Sequence, residues 1–123
     1  MKSTQEIANQ LVDFCRQGQF EKAVEELYSP KIVSIEPQGA MLTQRAEGME
    51  EFRAKGEAWE NSVEEIFGVE VSDPVVAGNF FTLTMGMDVK MKGRPRAQDS
   101  EVCVYEVKDG KIVLEQFFYQ AEG

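Results

Sequence analysis

Apolar and polar residues alternate most regularly near the end of the chain. There Ala97 to Tyr119, AQDSEVCVYEVKDGKIVLEQFFY, reads as two long strands joined at Asp109-Gly110. An Asp-Gly pair between alternating runs signals a two-residue hairpin, because both turn positions need positive φ. Val102, Val104, Ile112 and Leu114 fall on one side-chain parity, and Cys103, Tyr105, Val107, Phe117 and Tyr119 on the other. Both faces of the ribbon are thus largely apolar, which predicts that something packs on each side of it.

Upstream the period changes. Ser3 and Glu6 have the spacing of a capping box, and Ile7, Leu11, Phe14 and Cys15 follow at helical intervals until Gly18 stops the run. Phe20, Ala23, Val24, Leu27 and Tyr28 mark a second helix, ended by Ser29-Pro30. With only Gly18 and Gln19 between them, the two form a helical hairpin. Lys31 to Glu36 alternates as a short strand, expected at a sheet edge and closed by Pro37-Gln38-Gly39, after which a polar loop runs to Glu47. From Gly48 a third helix places Met49, Phe52, Gly56, Trp59 and Val63 on one face, with Lys55 between Phe52 and Trp59. Two strands come next, Glu64 to Ser72 and Val76 to Met91, the latter with Phe81, Leu83, Met85, Met87, Val89 and Met91 on one parity. Helix, helix, short strand, helix and four longer strands make an α+β plan, with the helices gathered on one face of a curved antiparallel sheet.

Composition narrows the chemistry. With 123 residues, 42% of them apolar, the chain fits one domain spanning 1–123. The 22 acidic residues outnumber the 13 basic ones for a net charge of −9, which argues against a nucleic-acid partner. The one basic cluster, KMKGRPR from Lys90 to Arg96, reads as a solvated loop between strands. Histidine is absent, which removes the commonest general base, the commonest zinc ligand and the usual catalytic triads. Carboxylates, lysine and tyrosine are left to do any chemistry. Cys15 and Cys103 have neither a disulfide framework nor metal-ligand spacing and read as small buried hydrophobes, so no metal or cofactor is expected. No apolar run is long enough to span a membrane and MKSTQEIANQ lacks a signal-peptide core, so the expected location is cytoplasmic.

Three stretches carry a family resemblance: YSPKIVSIEPQG, EGMEEF at the entry to the third helix, and VYEVKDGKIVLEQFFY. Together with the element order they resemble the SnoaL-like branch of the nuclear transport factor 2-like (cystatin-like, cone-shaped α+β barrel) superfamily, over essentially the whole chain. The resemblance implies a curved antiparallel or mixed sheet, three helices on its concave face, and a pocket between them for a small apolar or aromatic molecule. Family members include polyketide cyclases, ketosteroid isomerases, dehydratases, epoxide hydrolases and proteins that bind without catalysis, and a shared fold does not choose among these. Dehydratases of the superfamily rely on histidine, which this chain lacks, and the two aspartates bridged by an arginine in its epoxide hydrolases have no counterpart here.

The resemblance also turns the odd-numbered parity of the last three strands inward. Leu83, Met85, Met87, Glu101, Cys103, Tyr105, Glu115, Phe117 and Tyr119 would then line the concave side, with Phe14, Tyr28, Phe52, Lys55 and Trp59 from the helices. Most such positions pack as core rather than bind ligands. Glu36 is the leading candidate: its Glu-Pro-x-Gly setting is similar to the Asp-Pro-x-Gly setting of the general base in ketosteroid isomerases. Lys55 is its candidate charge partner and Tyr119 a candidate donor. A structural role, with Glu36 paired to a cation at the strand end, stands beside the catalytic one. The oxyanion-hole tyrosine of the isomerases falls on Leu11 and their protonated aspartate on Cys103, which counts against steroid isomerisation. On the outward parity, Val102, Val104, Ile112, Leu114 and Phe118 form an apolar patch. Superfamily members commonly dimerise through that face, so a homodimer is expected. Enzyme and non-catalytic binding or interaction module both remain open.

Overall fold

The structure is a computed structural model, and it describes residues 1–121. Helix α1 (Thr4–Arg16) begins with the expected capping box: Ser3 Oγ accepts the Glu6 N–H, and the Glu6 carboxylate accepts the Ser3 N–H, both at 3.1 Å. Gly18, at φ 70°, turns the chain into α2 (Phe20–Leu27). This second helix ends one residue earlier than its periodicity suggests, because Tyr28 is already extended and opens strand β1 (Tyr28–Ile35).

The placement of β1 corrects a second expectation. It lies inside the sheet, pairing in parallel with β7 (Lys111–Phe118) and antiparallel with β2 (Arg45–Glu47). The edge is β2, in a stretch read from the sequence as loop; three residues with two charges show no alternation to detect. Helix α3 (Gly48–Ser62) then leads into β3 (Val63–Val71). The single strand expected from Val76 to Met91 is a hairpin, β4 (Val75–Ala77) and β5 (Phe80–Met91), turned at Gly78 with φ 61°. Strand β6 (Ala97–Lys108) pairs with β7 across a turn in which Asp109 and Gly110 have φ of 52° and 73°, as the Asp-Gly pair predicts. Among the described residues the result is a mixed, unclosed sheet of seven strands ordered β2-β1-β7-β6-β5-β3, with β4 beside β5.

Helices α1 and α2 cover the inner face with Ile7, Leu11, Cys15 and Leu27, against Ile32, Phe81, Leu83, Cys103, Tyr105 and Ile112 from the sheet. The Phe81 and Tyr105 rings stack with centroids 4.7 Å apart. Ile112 is the third correction, since the sequence put it on the outer face. Glu106 pairs with Leu114 but Val107 pairs with Ile112, so Val113 is an extra residue in β7. That bulge turns both Ile112 and Glu115 inward, and Ile112 is fully buried.

Candidate functional site

Past the apolar core, the inner face carries a cluster of charged and polar side chains built by three elements. Strand β1 alternates Ile32, Ser34 and Glu36 inward, at 0%, 0% and 6% exposure, the last lying just beyond the strand where Pro37 ends it. Helix α3 contributes Lys55, which is only 7% exposed. Its position between Phe52 and Trp59 on the sheet-facing stripe carries the ammonium under the helix instead of out to solvent. Strand β7 contributes Glu115 and Phe117, and Tyr119 follows on the same parity.

These groups form one continuous chain of hydrogen bonds. Tyr119 donates its hydroxyl to Glu36 Oε1 at 2.6 Å, and Lys55 Nζ meets Glu36 Oε2 at 2.7 Å. Lys55 also donates to Ser34 Oγ at 2.7 Å, and the Ser34 hydroxyl donates to Glu115 Oε2 at 2.6 Å. Tyr28 closes the chain with a 2.7 Å bond to Glu115 Oε1. Among the described residues no buried side-chain nitrogen or oxygen lacks a partner. The Lys55 ammonium also stands 5.3 Å from the Phe117 ring centroid.

One cation thus serves several carboxyls. Burial pushes the Glu115 carboxyl above the ordinary range, opposed by the bonds from Ser34 and Tyr28 and by the Lys55 charge. Among the described residues Glu101 has no such set of donors. Its polar contact is the Cys103 thiol, 3.7 Å from Oε1, and burial followed by the negative charge of Glu36 raises it to about 7. Tyr119 is pushed up by burial and by its bond to Glu36, so it stays a proton donor. Burial holds the Cys103 thiol well above its usual range and lifts Cys15 to about 12, so both remain unreactive thiols.

The structure brings Glu36, Lys55 and Tyr119 into direct contact. Tyr28 joins them through Glu115 and packs against Phe52 with ring centroids 5.3 Å apart. Leu83, Cys103 and Tyr105 are core, and Phe14, Phe52, Met85 and Phe117 pack partly against it. Met87, Trp59 and Glu101 are partly exposed, so the inner face grades from a sealed floor at Ser34 to an accessible end at Glu101. Two surface clefts, of about 350 and 330 Å³, are bordered by none of the cluster residues. Ser34 is not among the residues the sequence singles out, and the signal that points to it is its shared parity with Ile32 and Glu36. The parity of Glu115 turns it inward, but nothing in the sequence marks it as the second anion of the cluster.

A fold of this kind, with a polar cluster beneath α3 beside the apolar core, defines a class with known members. The family model for the SnoaL-like domain matches residues 2–119, and the chain belongs to that family. Among solved structures it is similar to a candidate SnoaL-like polyketide cyclase from Mesorhizobium loti, at 33% identity and a TM-score of 0.88, covering 96% of this chain and 100% of that one. An NTF2-like protein of unknown function from Burkholderia pseudomallei is 14% identical, with a TM-score of 0.80 over 98% of this chain and 92% of that one. A protein of ketosteroid isomerase-like fold from Catenulispora acidiphila, in complex with trimethylamine, is 17% identical, with a TM-score of 0.73 over 96% and 88%. No curated protein matches the chain significantly.

Proposed function

We propose that this SnoaL-like protein receives a small apolar or aromatic carbonyl compound against the inner sheet face and performs acid–base chemistry of isomerase or cyclase type on it with a carboxylate. The observation that carries this reading is the grouping of Glu36, Glu101 and Glu115 around the single cation Lys55, beside the apolar side chains of Met85 and Phe117. Burial raises the proton affinity of Glu115, and that of Glu101 to about 7, where proton transfer to and from carbon is most effective. Lys55 and Tyr119 supply positive charge and an O–H donor for an oxygen that gains negative charge. The 33% identity to a candidate polyketide cyclase is consistent with a substrate of that chemistry.

The test is a thermal-shift and native mass-spectrometry screen of aromatic and polyketide-like carbonyl compounds. A hit is expected to raise the melting temperature, and its affinity or turnover to change in Glu36→Gln. A hit whose affinity and turnover are both untouched by Glu36→Gln, and by Lys55→Met, would remove the cluster from the function.

A second reading concerns the outer face. Val102 and Phe118 are 42% and 48% exposed and sit opposite each other on neighbouring strands. We propose that a second copy of this chain covers them, with Val104 and Leu114 at the margin; Ile112 has no part in it because it lies in the core.

A further inference from the structure

We propose that Glu101, and not Glu36, is the group that exchanges protons with the bound molecule, and that Glu36 serves to fix Lys55 and Tyr119 in place. This assignment rests on the acid–base reading above and divides its labour between residues.

Both oxygens of Glu36 are already occupied, Oε1 by the Tyr119 hydroxyl and Oε2 by the Lys55 ammonium. Protonating it would leave that ammonium, 7% exposed, without its counter-charge, and removing one partner of a buried pair is strongly unfavourable. Glu115 is in the same position, with Ser34 and Tyr28 on its two oxygens and a place on the sealed floor. Glu101 differs in both respects. Its one polar side-chain contact among the described residues is the weak Cys103 thiol, and it stands at the accessible end of the face, paired across the sheet with Met85.

The groups that face Glu101 are Cys103 on its own strand, Tyr119 and Glu115 from β7 and its continuation, Glu36 from the end of β1, and Lys55 from α3. Burial and the Glu36 charge raise the carboxyl to about 7 against the partial opposition of Cys103 and Lys55, so near neutral pH it both takes and returns a proton. In the reaction class proposed, ionised Glu101 removes a proton from the carbon next to a carbonyl. The C–H bond breaks, an O–H bond forms on Glu101, and the electron pair moves into the enolate, whose charge lies on oxygen. Returning that proton to a different carbon gives the isomer. Attack of the enolate carbon on a second carbonyl instead closes a ring, and the alkoxide formed takes the proton back from Glu101, which restores the carboxylate. Neither outcome needs an oxidant or a reductant.

The experiment uses nitrobenzisoxazole, a flat aromatic probe that reports on carboxylate bases. The base takes the ring C–H proton, the N–O bond breaks, and a coloured cyanonitrophenolate is released. The full chain is expected to accelerate this reaction beyond the same concentration of acetate, with a rate that rises through a single ionisation near 7. Glu101→Gln is expected to lose at least about a hundredfold and the pH dependence with it. Glu101→Asp recovers part of the rate, and Glu36→Gln still shows a single ionisation, moved below 7 because the negative charge that helps raise it is gone. A rate kept in Glu101→Gln and lost in Glu36→Gln overturns the assignment while leaving the pocket intact. Binding of the probe without acceleration also overturns it. Absence of both binding and acceleration sinks the pocket reading itself.

Discussion

Burial acts unequally on the inner carboxyls because their donors differ. Glu36 and Glu115 each have two strong partners, whereas Glu101 relies on a thiol and lies in the field of Glu36. Its folded-state pKa is therefore above the ordinary 4.5, at about 7. Ionising it then opposes folding: the native state is favoured most below 4.5, and that advantage is lost as pH climbs through about 7. A shift of this size corresponds to at most about 3 kcal/mol. Glu101→Gln, which cannot ionise, should thus exceed the natural protein in stability by about 1–3 kcal/mol at pH 8. The gap should shrink to under about 1 kcal/mol at pH 5. Urea melts at the two pH values measure the difference, and an equal gap at both would mean that Glu101 does not titrate in this window. None of this was visible in the sequence, where Glu101 was one inward residue among nine. The donors that separate it from Glu36 come from residues far apart along the chain.

Helix α3 is held to the sheet partly by charge, since Lys55 reaches Glu36 and Ser34 on and just beyond β1. A lone buried carboxylate is costly, so Lys55→Met should destabilise the fold by about 3–5 kcal/mol, chiefly through the stranded Glu36. Adding Glu36→Gln should recover most of that loss, because the double variant buries no net charge at this point. Denaturant melts of the four proteins in the cycle give the coupling, and additive losses would mean that the pair contributes no coupling. The pairing of Glu36 with Lys55 is legible in the sequence only as one option, because a lysine on an apolar helical stripe can meet Glu36 or Glu101 or reach the rim, and the structure takes the first. The position of β1 was not. Its parallel partner β7 lies some eighty residues away in a different part of the chain, and local alternation carries no information about which strand is its neighbour. Likewise the one-residue bulge at Val113 leaves no periodic trace in KIVLEQFF, yet it moves Ile112 from the outer face to the core. The hairpin at Asp109-Gly110 was fully legible because its turn chemistry is local.

At the scale of the whole molecule, charge and apolar surface are unevenly distributed. The chain carries −9 overall, but across the middle of the outer sheet face two neighbouring rungs are uncharged: Thr82, Val104, Gln116 and Ile35 on one, which reaches a charge only at Arg45 on the β2 edge, and Thr84, Val102 and Phe118 on the other. An uncharged, partly apolar strip on an otherwise anionic body suits a second copy better than a basic partner, which the acidic remainder of the surface would hold elsewhere. Two such chains repel at long range, so added salt, which screens that repulsion beyond about 10 Å at 0.1 M, should strengthen the association, not weaken it. Light scattering at micromolar concentration should give twice the 13.9 kDa chain mass. Val102→Glu should return the mass to that of one chain without lowering the melting temperature by more than a few degrees, since Val102 is 42% exposed in the single chain. A single-chain mass at tens of micromolar in half-molar salt would contradict the pairing. Because Phe117 and Tyr119 project inward from the same strand end whose Phe118 projects outward, a dimer formed on that face would also restrain the hydroxyl that meets Glu36. If so, Val102→Glu should weaken binding of an inner-face ligand even though it touches none of the cluster, and titrating that ligand against both proteins measures the link.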